Sequence, residues 1–285
     1  MQVFYKPNEV KEFISSLKRE GKTIGFVPTM GYLHKGHLSL VRCSKRDNDI
    51  TVVSIFVNPT QFGKNEDYDR YPRDLQRDLN LLQREGVDIV LAPSVEDMYP
   101  KGYSTYVEET ELSKLWEGTF RPGHFRGVCT VVTKLFNIVK PDKAYFGEKD
   151  YQQLKIIQKM VKDLNMDIEV IGCPIVRDSE GLAMSSRNVY LSPEERKQAT
   201  AIYKSFKLAQ KLVEEGLKEP RKLEEEIKKF LASFPLIKKI DYVAVVNPNT
   251  LEPAEEIKGG ERILVAVRMP SARLIDNWEL KIPKM

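Results

Sequence analysis

The sequence predicts an α/β fold, a parallel sheet with helices on both faces followed by a smaller C-terminal α+β domain. Short apolar runs rich in β-branched residues recur up to Val176. They alternate with stretches whose apolar residues repeat at helical spacing. After Val176 the alternation gives way to charged helices and then to two further apolar runs. Near-continuous apolar strands between helices indicate a parallel sheet buried on both faces. Ligands of such sheets bind beyond the carboxyl ends of the strands.

Taken in order, Thr23-Ile24-Gly25-Phe26-Val27 reads as a buried strand ending at Pro28, and Leu40 and Val41 mark a helix beginning near His37. Ile50 to Val57 is a strand, β-branched and apolar, that stops at Asn58-Pro59. Leu75, Leu79 and Leu82 mark a helix, Asp88 to Ala92 a strand, and Val128, Val131, Val132, Leu135, Phe136 and Val139 a strong helical stripe. Lys143 to Phe146 is a short strand closed by Gly147, and Leu154, Ile157 and Val161 mark the next helix. Beyond Val176, Ser192-Pro193-Glu194-Glu195 is a helix start, with Ser as N-cap, Pro at the first position and acids in the first turn. Two charged helices separated near Pro220 follow, with Glu224-Glu225-Glu226 read as a solvated face. Tyr242 to Val246 and Ile263 to Val267 are strands.

Composition excludes several classes. Of 285 residues, 41% are hydrophobic and 30% charged, which allows a packed core and argues against disorder. The net charge of +4 is mild, and Lys and Arg are interleaved with Asp and Glu. A nucleic-acid binder would show a clustered basic stripe. No apolar run is long enough to span a bilayer, and the N-terminus lacks a basic segment leading into an apolar one. Cys43, Cys129 and Cys173 are far apart and odd in number, so they read as buried thiols in a reducing cytoplasm.

The chemistry-bearing residues cluster after predicted strands. In Pro28-Thr29-Met30-Gly31-Tyr32-Leu33-His34-Lys35-Gly36-His37, two histidines three apart share one face at a helix start. Gly36 allows close backbone approach, and a helix N-terminus offers N–H groups and a positive dipole end, features that suit a phosphate chain. A solvated or metal-binding His pair is the competing reading. In Met184-Ser185-Ser186-Arg187, two hydroxyls and a guanidinium can donate to phosphate oxygens, although a capped turn would have the same residues. In Phe146-Gly147-Glu148-Lys149-Asp150-Tyr151-Gln152-Gln153, a lysine stands near a helix N-terminus, where the dipole disfavours it unless an anion binds or Glu148 or Asp150 pairs with it.

The His-x-Gly-His run paired with Met-Ser-Ser-Arg resembles the nucleotidyltransferase superfamily that also contains the class I aminoacyl-tRNA synthetases. Val27 to Gly31, the His-Lys-Gly-His run, Phe56 to Gly63, His124 to Val128, Phe146 to Gln153, Leu182 to Asn188 and Asp241 to Pro248 resemble the pantothenate synthetase (pantoate–β-alanine ligase) family. That resemblance implies a Rossmann-like domain over residues 1–176 and a smaller domain over 177–285 carrying Met-Ser-Ser-Arg. It implies that ATP and (R)-pantoate, with Mg²⁺, give pantoyl-adenylate, which β-alanine attacks. On this likeness Met30, Gly31, Tyr32, Leu33, His34, Lys35, Gly36 and His37 line ATP, with His37 as proton donor. Gly147, Glu148, Lys149, Asp150, Val176, Met184, Ser185, Ser186 and Arg187 complete that site. His34, Lys149 and Arg187 join His37 in stabilising charge at the α-phosphate. Gln61 and Gln153 hold pantoate, Gln61 also meets β-alanine, and Asn58 is a third amide in the same pocket. The family resemblance implies a homodimer; it names no metal ligand.

Other readings differ in testable features. An enzyme moving AMP onto a phosphate would want further cations, and an aminoacyl-tRNA synthetase would need a tRNA-binding domain that the balanced charge after Arg187 does not provide. A nucleotide-sensing module with a decayed site would not keep His34, His37, Lys149 and Arg187 together.

Overall fold

The computed structural model describes residues 1–283 and divides into two compact units, Met1–Glu148 with Gln152–Ile175, and Lys149–Tyr151 with the chain from Val176 onward. The larger unit runs β1 (Gln2–Phe4), α1 (Pro7–Arg19), β2 (Ile24–Thr29), α2 (Lys35–Asp47), β3 (Ile50–Ile55), α3 (Leu75–Arg84), β4 (Ile89–Leu91), α4 (Val95–Met98), α5 (Glu117–Phe120), α6 (His124–Val139), β5 (Lys143–Gly147), α7 (Tyr151–Asp163) and β6 (Glu169–Cys173). Its six strands lie in the order β1-β4-β3-β2-β5-β6 and every pairing is parallel.

The alternation of side chains along the strands separates two cores. Phe26, Val52, Ile89, Leu91, Ala144 and Phe146 pack with residues of α1, α6 and α7. Val27, Val53, Val90 and Tyr145 pack with Leu40 and Val41 of α2 and Leu82 of α3. Helices therefore cover both faces, as the continuous apolar strands require.

Pro28 does not end its strand; β2 continues through it to Thr29. The Ile24 carbonyl serves β5 and the Thr29 carbonyl serves β3, so the backbone of even-numbered residues faces β5. The β2–β5 pairing stops at Phe26, so the missing Pro28 N–H breaks no ladder bond. β3 ends two residues early, at Ile55, and Phe56 to Asn58 leave the sheet at its carboxyl edge.

The smaller unit contains α8 (Pro193–Ala199), α9 (Ala201–Glu214) and α10 (Pro220–Ala232), then an antiparallel sheet of β7 (Lys239–Val246), β8 (Arg262–Arg268) and β9 (Arg273–Glu279). The Ser192 and Glu195 side chains form the expected reciprocal cap. Thr200 interrupts the first charged helix, so three helices stand where two were expected. Glu224 is not solvated: it is 6% exposed, accepts the Val245 N–H at 2.8 Å and pairs with Arg221 at 2.7 Å. Among the described residues no helix is long and apolar enough to cross a membrane. The cysteines are all free, Cys129 and Cys173 buried and Cys43 only half-buried.

Candidate active site

The His-x-Gly-His loop is built by β2, α2 and α3. Gly31 and Tyr32 take left-handed φ values of 78° and 48°, which turn the chain sharply off the end of β2. A Cβ on Gly31 would stand 2.9 Å from Ile55 Cγ2 and 3.1 Å from Asp78 Oδ2, so only glycine fits. Asp78, 1% exposed, accepts the N–H groups of Tyr32 and Leu33, each at 2.8 Å. Burial pushes the Asp78 carboxyl up in pKa, and the two backbone donors and Arg77 pull it back.

Both histidines serve the N-terminus of α2. His34 is the N-cap and its Nδ1 accepts the Gly36 N–H at 3.0 Å. His37 Nδ1 accepts the His34 N–H at 3.1 Å, closing a reciprocal cap, with ring centroids 4.0 Å apart. An Nδ1 that accepts a hydrogen bond carries no proton, so each neutral ring carries its proton on Nε2. The cap thus fixes the tautomer of two potential donors to a phosphate oxygen.

Asn58 and Gln61 follow β3, in and beside a 3-10 turn, Pro59–Gln61. Asn58 Oδ1 accepts the Thr60 N–H at 3.3 Å, and Asn58 Nδ2 donates to the Gly127 carbonyl at 3.1 Å. A backbone donor on one side and a backbone acceptor on the other settle which atom is which. The same Nδ2 donates to Gln61 Oε1 at 3.0 Å, and the Tyr99 hydroxyl donates to Asn58 Oδ1 at 2.8 Å. Asn58 is 1% exposed with its polar atoms committed inside the protein, so it orients Gln61 and does not fit the role of a substrate contact expected of it. Gln61, its oxygen taken, presents its NH₂ group.

β3, β2 and β5 are adjacent, and β2 is the point from which the chain winds first to one side of the sheet and later to the other. Their carboxyl ends bring together Asn58 and Gln61, Met30 to His37, and Gly147 with Glu148. Gln153 is half-buried in the first turn of α7. A Cβ added to Gly147 would meet nothing within 4 Å, so the backbone there is open to a ligand.

The remaining expected residues lie in the smaller unit. Lys149 and Asp150 belong to a 3-10 turn, Glu148–Asp150, ahead of α7, and the Lys149 carbonyl accepts from Asn277 Nδ2 of β9 at 3.0 Å. Val176 and Met184 are joined by a 2.9 Å backbone bond. Between them Arg177 makes a bidentate pair with the buried Asp276 of β9, at 2.6 and 3.0 Å. Ser185 caps a further 3-10 turn, Ser186–Tyr190, accepting the Arg187 N–H at 3.2 Å; Ser186 is buried and Arg187 half-buried.

The sequence matches the Pantoate-beta-alanine ligase family profile over residues 2–279. The chain belongs to the pantoate–β-alanine ligase family. A pantothenate synthetase of Aquifex aeolicus is 57% identical over 279 residues, covering 98% of this chain and 99% of that one. The crystal structure of pantothenate synthetase from Thermus thermophilus superposes with a TM-score of 0.93 at 50% identity, covering 99% of this chain and 100% of the other. A pantoate–β-alanine ligase from Francisella tularensis, whose structure is complexed with β-γ ATP and β-alanine, gives a TM-score of 0.82 at 37% identity, covering 98% and 97%.

Two features of this ligase-family chain escaped sequence reasoning. Asp78 holds the histidine loop, yet its signal was present: it lies four residues before Leu82, a carboxylate on the buried face of α3. A cavity of about 320 Å³ opens beside Met30 and Tyr32, bounded by Val57, Arg73, Asp74 and Ser94, at the β3 and β4 edge. Neither Gln61 nor Gln153 lines it.

Proposed function

We propose that this chain condenses (R)-pantoate with β-alanine at the expense of ATP, giving pantothenate, AMP and pyrophosphate. The observation that carries the reading is the full-length match to the ligase family. A pantoate carboxylate oxygen attacks the α-phosphorus, and pyrophosphate leaves with the bonding electron pair. The amine of β-alanine then attacks the acyl carbon of pantoyl-adenylate, loses a proton, and AMP departs. No protein nucleophile is needed, so the chain's work is to align the reactants and stabilise charge.

Met30 to His37, Gly147 to Asp150, Val176 and Met184 to Arg187 are assigned to ATP on the family likeness. The tautomer fixed by the helix cap supports His37 as proton donor through Nε2, with His34 beside it. Lys149 and Arg187 are assigned to phosphate charge. Gln61 and Gln153 hold pantoate, and Gln61 meets β-alanine. Among the described residues no group of three or more His, Cys, Asp or Glu side chains is gathered for a cation. Asp78, the buried carboxylate nearest the loop, is occupied by backbone N–H groups. On the family likeness Mg²⁺ would arrive with the triphosphate, an ion that keeps several waters and binds mainly through substrate phosphates. When bound it neutralises phosphate charge. The family likeness also supports a cytoplasmic homodimer, whose oligomeric state light scattering tests.

The deciding experiment is exchange of labelled pyrophosphate into ATP with and without pantoate, followed by β-alanine. Pantoate-dependent exchange and β-alanine-dependent pantothenate are expected. Exchange driven by another carboxylate but not by pantoate would overturn the substrate assignment.

A further inference from the structure

We infer that His124 is a positioning residue for the pantoate-binding amide of Gln61, and that the Glu66–Arg121 ion pair sets its tautomer. The inference rests on the role proposed above for Gln61.

His124 is the first residue of α6 and is 8% exposed. Its Nδ1 lies 2.8 Å from the Gln61 carbonyl oxygen, and its Nε2 lies 3.4 Å from Arg121 Nη1. An arginine nitrogen always donates and a carbonyl always accepts. The ring must therefore carry its proton on Nδ1 and present a lone pair at Nε2. Arg121 is held in turn by Glu66, through Nε to Oε2 and Nη2 to Oε1, both at 2.8 Å. Glu66 Oε1 also accepts the Gly63 N–H at 3.0 Å, two residues beyond Gln61. Burial, then the Arg121 charge, hold the His124 pKa down at about 4. Its place in the first turn of a helix also disfavours a cation. The ring is therefore neutral and in one tautomer near pH 7.

The effect converges on Gln61. Asn58 fixes its side-chain oxygen and His124 fixes its main-chain oxygen, so both ends of the residue are held. Gly127, one turn along α6, reinforces this: a Cβ there would lie 2.4 Å from the Thr60 carbonyl oxygen. The start of α6 therefore seats directly on the Pro59–Gln61 turn. A buried histidine serving packing alone would not need one tautomer locked by a charged pair.

The test compares His124→Phe, which keeps a ring and loses the donor, with His124→Asn, whose amide N–H replaces Nδ1–H. Pantoate and ATP KM values, kcat and melting temperature are measured for each. His124→Phe is expected to raise the pantoate KM about tenfold, the equivalent of losing one buried hydrogen bond, with the ATP KM nearly unchanged. His124→Asn is expected to recover most of that loss even where its melting temperature falls as far. A Glu66→Gln, Arg121→Met double variant removes both charges together and should also raise the pantoate KM; it serves if His124→Phe fails to fold. An active parent with unchanged pantoate KM in the folded variants overturns the inference alone, as does an equal rise in His124→Phe and His124→Asn. A parent without pantoate-dependent exchange overturns the ligase reading and this inference with it.

Discussion

The main-chain N–H of His34 donates to Nδ1 of His37 at 3.1 Å, so the second histidine of the motif caps the helix that the first one begins. The motif is thus structural first: each Nδ1 holds the backbone, and the tautomer this fixes is the one the proposed role of His37 as proton donor requires.

The two duties separate by substitution. His37→Asn keeps an acceptor near Nδ1 and removes the Nε2 donor, whereas His37→Ala removes both. Loss of a cap costs about 0.5–2 kcal/mol, and loss of one donor to a transition state costs roughly 10²–10³ in rate. His37→Asn should melt near the parent and His37→Ala below it, with both depressed in pyrophosphate exchange. Parent-like exchange in either would remove His37 from the chemistry.

Asp78→Asn tests the loop's anchor. Each carboxylate oxygen takes one backbone N–H, and an amide has only one oxygen. One of the Tyr32 and Leu33 donors would then face an NH₂ group while buried. The expected loss is about 2–3 kcal/mol of stability, with a fall in kcat. Denaturant unfolding alongside exchange kinetics measures both; a variant as stable as the parent would show that the loop holds itself.

How far the sequence was legible follows from what each residue had to satisfy. The buried strands could be read because a parallel sheet covered on both faces demands uninterrupted apolar residues, as in Ile50–Ile55. β9 was missed because its central residues, Asp276 and Asn277, are polar and buried through partners that the sequence does not reveal. β1 is three residues long and too short for a periodic signal. The His-x-Gly-His run stood out by its place between a strand and a helix, whereas Met-Ser-Ser-Arg was singled out only through the family resemblance, since alone it reads equally as a capped turn. The bonds that orient Gln61 were not, because Asn58, Tyr99, Gly127 and His124 meet only after α6 folds onto the turn after β3.

The Glu66–Arg121 pair should leave a signature at acid pH. Burial opposes ionisation of Glu66, but the Arg121 hydrogen bond and charge and the Gly63 N–H outweigh it, taking the pKa from 4.5 down to about 2. A lowered folded-state pKa stabilises the fold above 4.5, and that contribution is lost as pH falls toward 2. Screening at a partly exposed pair leaves about 2 kcal/mol at neutral pH. The stability gap between parent and Glu66→Gln should shrink by more than half between about pH 7 and about pH 3. A gap independent of pH would mean that the charge contributes nothing.

The last prediction concerns the polarity of the pantoate contact. Asn58 cannot flip, because its amide is read by the Thr60 N–H on one side and the Gly127 carbonyl on the other. Gln61 therefore cannot flip either, since its oxygen must face Asn58 Nδ2. On the pantoate role proposed for Gln61, the group turned to substrate is a donor, suited to a hydroxyl or carboxylate oxygen. A neutral amide can hold a pantoate hydroxyl without quenching the carboxylate that must attack, whereas an arginine there would stabilise ground and transition states alike. Gln61→Glu keeps the acceptor toward Asn58 and replaces the donor with a second oxygen. Gln61→Leu leaves the Asn58 donor without that acceptor as well. Both should raise the pantoate KM by about 1–3 kcal/mol in equivalent free energy, with little change for ATP. Gln153→Leu should act in the same direction if its amide shares the substrate. A deoxy analogue separates hydroxyl from carboxylate. The parent should reject it strongly, because a site built to bond a hydroxyl leaves its own donor unpaired without one. If Gln61 reads that hydroxyl, Gln61→Leu should lose the discrimination while binding pantoate weakly. Equal discrimination in the parent, Gln61→Leu and Gln153→Leu would place hydroxyl recognition on other residues.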